Sequence, residues 1–187
     1  MKYDLSILIC TLPSRFKSLE SLVLELNHQC LNRSVQILYL GDNKSMSVGE
    51  KRNKLLSICD GNYVTFIDDD DMVTHDYISE IFNHIEKGYE VITFLLEKYF
   101  NGQKDRTQKF SRAYWKNHRS PDKQFNLMLP NHLCVWKKSV IKEKFPDISL
   151  GEDWRWAELM TQHYSNECNI DKVLYIYDFW KDKTETQ

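Results

Sequence analysis

Residues 63–73 read YVTFIDDDDMV, an apolar run that ends in four consecutive carboxylates, Asp68, Asp69, Asp70 and Asp71. A short aromatic and β-branched run of this kind suits a buried strand. Four adjacent carboxylates repel each other by on the order of a few kcal/mol per close pair, even at an effective dielectric of about 20. A divalent cation removes that cost, and hard oxygen donors suit Mg2+ or Mn2+. A solvated turn that caps the following helix, opening at Thr74, accounts for the same aspartates locally. A helix-loop-helix calcium loop is disfavoured, because the central Gly and the closing Glu are missing.

Outward from this stretch the chain alternates. LSILIC (5–10) reads as a strand covered on both faces, and FKSLESLVLELNHQC (16–30) as a helix with Leu19, Leu22, Val23 and Leu26 on one face. VQILYL (35–40) is a second such strand, broken by the turn-rich GDNKS (41–45). SVGE (47–50) forms a capping box, Ser47 with Glu50, that opens a helix through about Cys59. GNYVTFI (61–67) is the third strand. THDYISEIFNHIEKG (74–88) is a third helix with Thr74 as cap and Gly88 as stop, and YEVITFLLEKYF (89–100) a fourth strand. Strands alternating with helices predict an α/β fold with a mostly parallel central sheet and helices on both faces.

The rhythm changes after about residue 97. Residues 97–124 are polar, basic and aromatic without a clear period, which predicts a long excursion or a small antiparallel piece laid across the sheet. HLCVWK (132–137) reads as a strand, KSVIKEKF (138–145) as a short helix, GEDWRWAELMTQHYS (151–165) as a longer one, and DKVLYIYDFW (171–180) as the last strand. There is no internal repeat or linker. The expectation is one domain over 1–187, with residues 1–96 and 97–187 as its two halves.

The 187 residues suffice for one hydrophobic core, and a net charge of −2 gives no reason to expect nucleic acid as a partner. The five cysteines are scattered, with no zinc spacing, as expected of a reducing cytoplasm. No run approaches the ~20 apolar residues of a membrane helix. The N-terminus lacks a signal peptide's apolar core, so a cytoplasmic location is expected.

The ordered set Gly49, Arg52, Asn53, Gly61, Tyr63, Asp68, Asp70 and Asp71, followed by GEDW at 151–154, resembles glycosyltransferase family 2, whose fold is called GT-A. The resemblance implies a compact GT-A fold and a metal-dependent, inverting transfer. A sugar would pass from a nucleotide sugar, most often a UDP-sugar, to a glycan, lipid or protein hydroxyl. Residues 1–96 become the nucleotide-sugar half and 97–187 the acceptor half.

It also implies roles. Asp70 binds Mn2+ or Mg2+ directly, Asp68 binds it directly or through water, Asp69 touches the ribose, and Asp71 binds a second ion or orients Asp70. Thr11 walls the base pocket, Arg15 contacts diphosphate or base, and Asp42 reads the uracil imide. Arg52 serves a phosphate or a carboxylate, a task Lys51 shares unless it is solvated. Asp153 is the general base and Glu152 binds the acceptor. Acidic residues at a helix N-terminus are also placed there for dipole reasons. Trp154, Trp156 and Trp115 are candidates to stack on sugars, with Trp156 reading better as core. His132 is a candidate acceptor or phosphate contact. Near the C-terminus, where many GT-A enzymes carry a metal-binding His, this chain offers Asp178. A nucleotidyltransferase on a similar sheet, or a non-catalytic nucleotide-sugar or metal-binding module, is the alternative.

Overall fold

The computed structural model describes residues 2–116 and 125–179. In chain order the elements are β1 (Tyr3–Thr11), α1 (Phe16–Gln29), β2 (Val35–Gly41), α2 (Val48–Ile58), β3 (Gly61–Phe66), β4 (Met72–Val73) and α3 (Tyr77–Ile85). They continue with β5 (Val91–Phe100), β6 (Gln103–Phe110), β7 (Phe125–Met128), β8 (Val135–Lys137), α4 (Glu152–Met160) and β9 (Glu167–Phe179).

β1 pairs in parallel with β2 on one side and β3 on the other. β8 is inserted antiparallel between β3 and β5, so β5 again runs with β3. β5 pairs in parallel with β9 along its whole length, and the two-residue β4 pairs with β9. The sheet is therefore mostly parallel, as the alternation predicts. Because β2 and β3 flank β1, right-handed crossovers put α1 and α2 on opposite faces. α1 packs beside α3, and α2 beside α4. The order reverses between β1 and β3, which is where an open α/β sheet presents a crevice for ligands.

Several local expectations are corrected. β2 is an edge strand, not one covered on both faces, and its Tyr39 is 60% exposed. The third helix starts at Tyr77, with Asp76 at the N-cap position, and Thr74 Oγ1 donates to Asp76 Oδ1 at 2.8 Å. KSVIKEKF makes only a 3-10 turn at Lys138–Val140. Its later backbone groups are claimed by other elements: Phe145 N–H by Asn53 Oδ1, Phe145 C=O by Asn53 Nδ2, and Glu143 C=O by Trp156 Nε1. The polar stretch after residue 97 opens as an antiparallel hairpin of β5 and β6, turned by Asn101 and Gly102, both at positive φ.

Trp156 is core, stacked on Phe145 at 4.5 Å and edge-on to Trp136 at 5.0 Å. No helix among the described residues is long and apolar enough to cross a membrane.

Candidate active site

β3 ends at Phe66 and delivers the four aspartates past the sheet, where they alternate. Asp69 and Asp71 are 1% and 6% exposed, while the side chains of Asp68 and Asp70 keep 31% and 40% of their surface open. The buried pair is held from two sides. Thr11 Oγ1 donates to Asp69 Oδ2 at 2.6 Å, and Arg15 Nη1 donates to Asp69 Oδ1 at 2.9 Å while reaching Asp70 Oδ2 at 3.2 Å. Each Asp69 oxygen thus has a donor within the protein, and the residue braces Arg15. Tyr175 on β9 donates its hydroxyl to Asp71 Oδ2 at 2.7 Å and accepts the Asp68 N–H at 3.1 Å. Burial, reinforced by the charge of Asp68, pushes the Asp71 carboxyl well above its ordinary range. Burial also raises Asp69 and Asp70, against the pull of Arg15.

Arg52 joins this cluster to the second acidic motif. Its guanidinium is buried, with Nη2 3.1 Å from Asp68 Oδ1 and Nε 3.3 Å from Glu152 Oε1, and it lies over the rings of Phe66 at 5.0 Å and Phe145 at 5.8 Å. The planar fork therefore serves carboxylates. Burial opposes the charged form of Asp68, yet Arg52 and His132 together hold its carboxyl below the usual range. His132 is also buried, with Nε2 3.4 Å from Asp68 Oδ2 and Nδ1 3.8 Å from Asp153 Oδ2.

On α4, the Glu152 carboxylate is buried against Arg52, whereas the Asp153 side chain is 35% exposed. Trp154 is half-buried on the same turn. The side chain of Trp115 lies outside the described residues.

At the other end of the crevice Asp42 closes its own loop. Its Oδ2 accepts the Met46 N–H at 2.7 Å and the Ser45 hydroxyl at 2.9 Å, and its Oδ1 pairs with Lys51 Nζ at 2.9 Å. Burial opposes ionisation here too, but these partners, Lys51 foremost, hold the carboxyl well below the usual range. A solvated Lys51 is excluded: the side chain is buried, and its ammonium also donates to the Thr11 carbonyl at 3.3 Å.

Asp178 is not part of this gathering. In β9 it is level with Tyr99 of β5, and strand alternation puts it on the face opposite Tyr175 and Tyr177. Tyr177 does lie near the aspartates, and burial and their charge push its hydroxyl up to about 12. Neither Tyr175 nor Tyr177 stands out in the sequence, although their spacing of two on the last strand places them on one face.

Among the described residues no three His, Cys, Asp or Glu side chains form a ready metal cage. The two outward carboxylates, Asp68 and Asp70, nonetheless fit Mg2+ or Mn2+, which take one or two carboxylates and complete their shell with water and phosphate oxygens. On the α1 side a cavity of about 570 Å3 opens beside Asp70, lined also by Ser18, Leu22, Glu25, Met72 and His75.

The model of the family described as Glycosyl transferase family 2 matches residues 19–145. No curated protein matches the chain. Among solved structures, S. aureus TarS 1-349 superposes with a TM-score of 0.66 at 15% identity, covering 94% of this chain and 60% of that one. The same fragment in complex with UDP-GlcNAc gives 0.63 at 15% identity, covering 98% and 60%. A longer TarS structure gives 0.62 at 12% identity, covering 94% and 37%. The chain thus spans about three-fifths of the TarS fragment's length, and at these identities the likeness establishes a common fold, GT-A.

Proposed function

This chain belongs to glycosyl transferase family 2, and from that premise we propose that it moves a sugar from a UDP-sugar to an acceptor hydroxyl with inversion at the anomeric carbon. One observation carries the reading. Asp68 and Asp153 lie on the two sides of His132, at 3.4 and 3.8 Å, so the two acidic motifs, far apart in sequence, meet at one residue, which supports pairing a leaving-group end with a proton-accepting end. UDP as carrier is supported by the TarS complexes with UDP-GlcNAc and with UDP.

The division of labour follows the two halves of the chain. Asp42, kept ionised by Lys51, reads the imide N–H of the base, and Thr11 positions the strand end beneath it. Arg15, braced by Asp69, adds positive charge beside Asp70 where the diphosphate would lie. Asp70 and Asp68 would hold Mn2+ or Mg2+, which supplies charge to the departing diphosphate. Asp153 accepts the proton of the acceptor hydroxyl as its oxygen bonds to the anomeric carbon and the bond to the diphosphate oxygen breaks. Glu152 is a positioning residue that keeps Arg52, and through it Asp68, in register with Asp153.

The test is a thermal-shift and UDP-release assay with UDP-GlcNAc, UDP-glucose and UDP-galactose, with and without Mn2+. A Mn2+-dependent shift is expected with at least one donor. Asp70→Ala should abolish the Mn2+-dependent shift. Asp153→Asn should preserve it while slowing UDP release by about a hundredfold or more. Unchanged turnover in Asp153→Asn would remove that residue as base, and pyrophosphate release from a nucleoside triphosphate would favour a nucleotidyltransferase.

A further inference from the structure

We propose that Tyr177 and Phe179 of β9, with Phe100 of β5, form a stacking platform for the sugar rings of a carbohydrate acceptor chain. The proposal rests on the transfer reading above and names the class of acceptor.

The platform starts at the aspartates. β4 and β9 pair with Met72 opposite Ile176 and Val73 opposite Tyr175, so the next step of the antiparallel register brings Tyr177 level with Asp71. Alternation places Tyr175, Tyr177 and Phe179 on one face of β9. Tyr175 is spent on Asp71 and the Asp68 N–H, but the next two rings continue outward. Tyr177 and Phe179 are stacked with centroids 6.5 Å apart and planes 21° apart, and Phe179 stacks on Phe100 at 5.4 Å and 16°. Three near-parallel rings, spaced on the scale of one sugar ring, lead away from the site. At about 3.3 Å per residue, Phe179 lies roughly 13 Å along β9 from Tyr175.

Tyr177 packs against the edge of the core, but the two outer rings are not core. Phe100 and Phe179 lie outside the hydrophobic cluster, and Phe100 is 46% exposed. Exposed apolar groups massed together usually mark a binding surface. Polar partners surround them: Lys98 Nζ is 5.5 Å from the Tyr177 ring centroid, Arg106 is level with Lys98 across the hairpin, and Gln103 is level with Phe100. Aromatic faces flanked by hydrogen-bond donors match a sugar, which presents C–H groups on its faces and hydroxyls at its rim. Position favours the same ligand. Asp42 follows β2 at one edge of the sheet and the aspartates follow β3 at its middle. The ends of β5 and β9 lie beyond β8 on the far side from the nucleotide.

The experiment titrates chitotetraose, cellotetraose and maltotetraose into the chain by calorimetry, with an oligothymidylate as the competing class. At least one tetrasaccharide should bind, about tenfold or more tighter than its monosaccharide. Phe100→Ala should weaken it about tenfold, and Tyr177→Phe, which keeps the ring, should not. The Mn2+ and UDP thermal shift should be unaltered in Phe100→Ala. Binding of none of the tetrasaccharides, unchanged binding in Phe100→Ala, or stronger binding of oligothymidylate overturns the platform. If UDP with Mn2+ stabilises the chain while no sugar binds, only the platform fails. If sugars bind through Phe100 and UDP does not, the transfer reading fails and the platform stands.

Discussion

At the scale of single residues, the four aspartates carry two different jobs. The even-numbered pair, Asp68 and Asp70, keeps surface for a ligand, and the odd-numbered pair anchors the turn. The anchors are the more vulnerable, because a buried carboxylate that loses a donor has no water to replace it. Thr11→Val removes the 2.6 Å bond to Asp69 at nearly constant volume. It should cost about 1–3 kcal/mol in urea unfolding, and Thr11→Ser should restore most of it. An unchanged midpoint in the valine variant would mean that Arg15 alone suffices. The sequence reveals that these carboxylates gather, because their adjacency is local. It does not reveal the division between them, since that depends on Thr11, Arg15 and Tyr175, the last more than a hundred residues away.

At the scale of elements, α2 organises the crevice, and consecutive residues of GEKRN each reach a different neighbour. Ser47 caps the helix by accepting the Glu50 N–H at 3.0 Å, as the capping box predicts. Lys51 ties Asp42 to the end of β1, Arg52 ties Asp68 to Glu152, and Asn53 clamps Phe145 by two bonds. Gly49 makes that closeness possible: a Cβ there would stand 1.8 Å from the Pro146 carbonyl oxygen, which is backbone and cannot swing aside. Gly49→Ala should therefore push residues 146–149 off α2 and cost about 1–3 kcal/mol, with larger loss of donor binding than of helicity. Gly88→Ala is the control, since its Cβ meets nothing and only the positive φ of +78° opposes it. A Gly49→Ala chain as stable as the Gly88→Ala chain would contradict this packing. The capping and the helix itself are legible in sequence. The contact with the segment after Phe145 is not, because that segment folds as irregular backbone whose partners lie about a hundred residues upstream.

At the scale of the whole molecule, the first half was readable because β1 to β3 form by repeated strand, helix, strand steps. The elements of the second half were readable too, HLCVWK and DKVLYIYDFW as strands and GEDWRWAELM as a helix, but their places in the sheet were not. β8 is three residues long, β4 is two, and β9 pairs with β5 across some 75 positions, so their places rest on long-range pairing. The join of β5 and β9 is secured at its start by Glu90, whose Oε2 accepts the N–H groups of Ser165 at 2.8 Å and Asn166 at 3.0 Å. Those two bonds hold its carboxyl below the usual glutamate range. A depressed folded-state value means that the stabilisation is fully present above the unfolded value, about 4.3, and is lost as pH falls through the folded one. Glu90→Gln keeps an acceptor oxygen but loses the charge. The stability gap between wild type and Glu90→Gln should therefore be largest near neutral pH and shrink as pH falls from about 5 toward 3, read by denaturant unfolding at each pH. A gap that stays constant over that range would mean that neutral hydrogen bonds alone join the two strands. The same join sets where Tyr177, Phe179 and Phe100 stand, so a variant loosened at Glu90 should also bind tetrasaccharides less tightly while leaving the Asp42 end of the crevice intact.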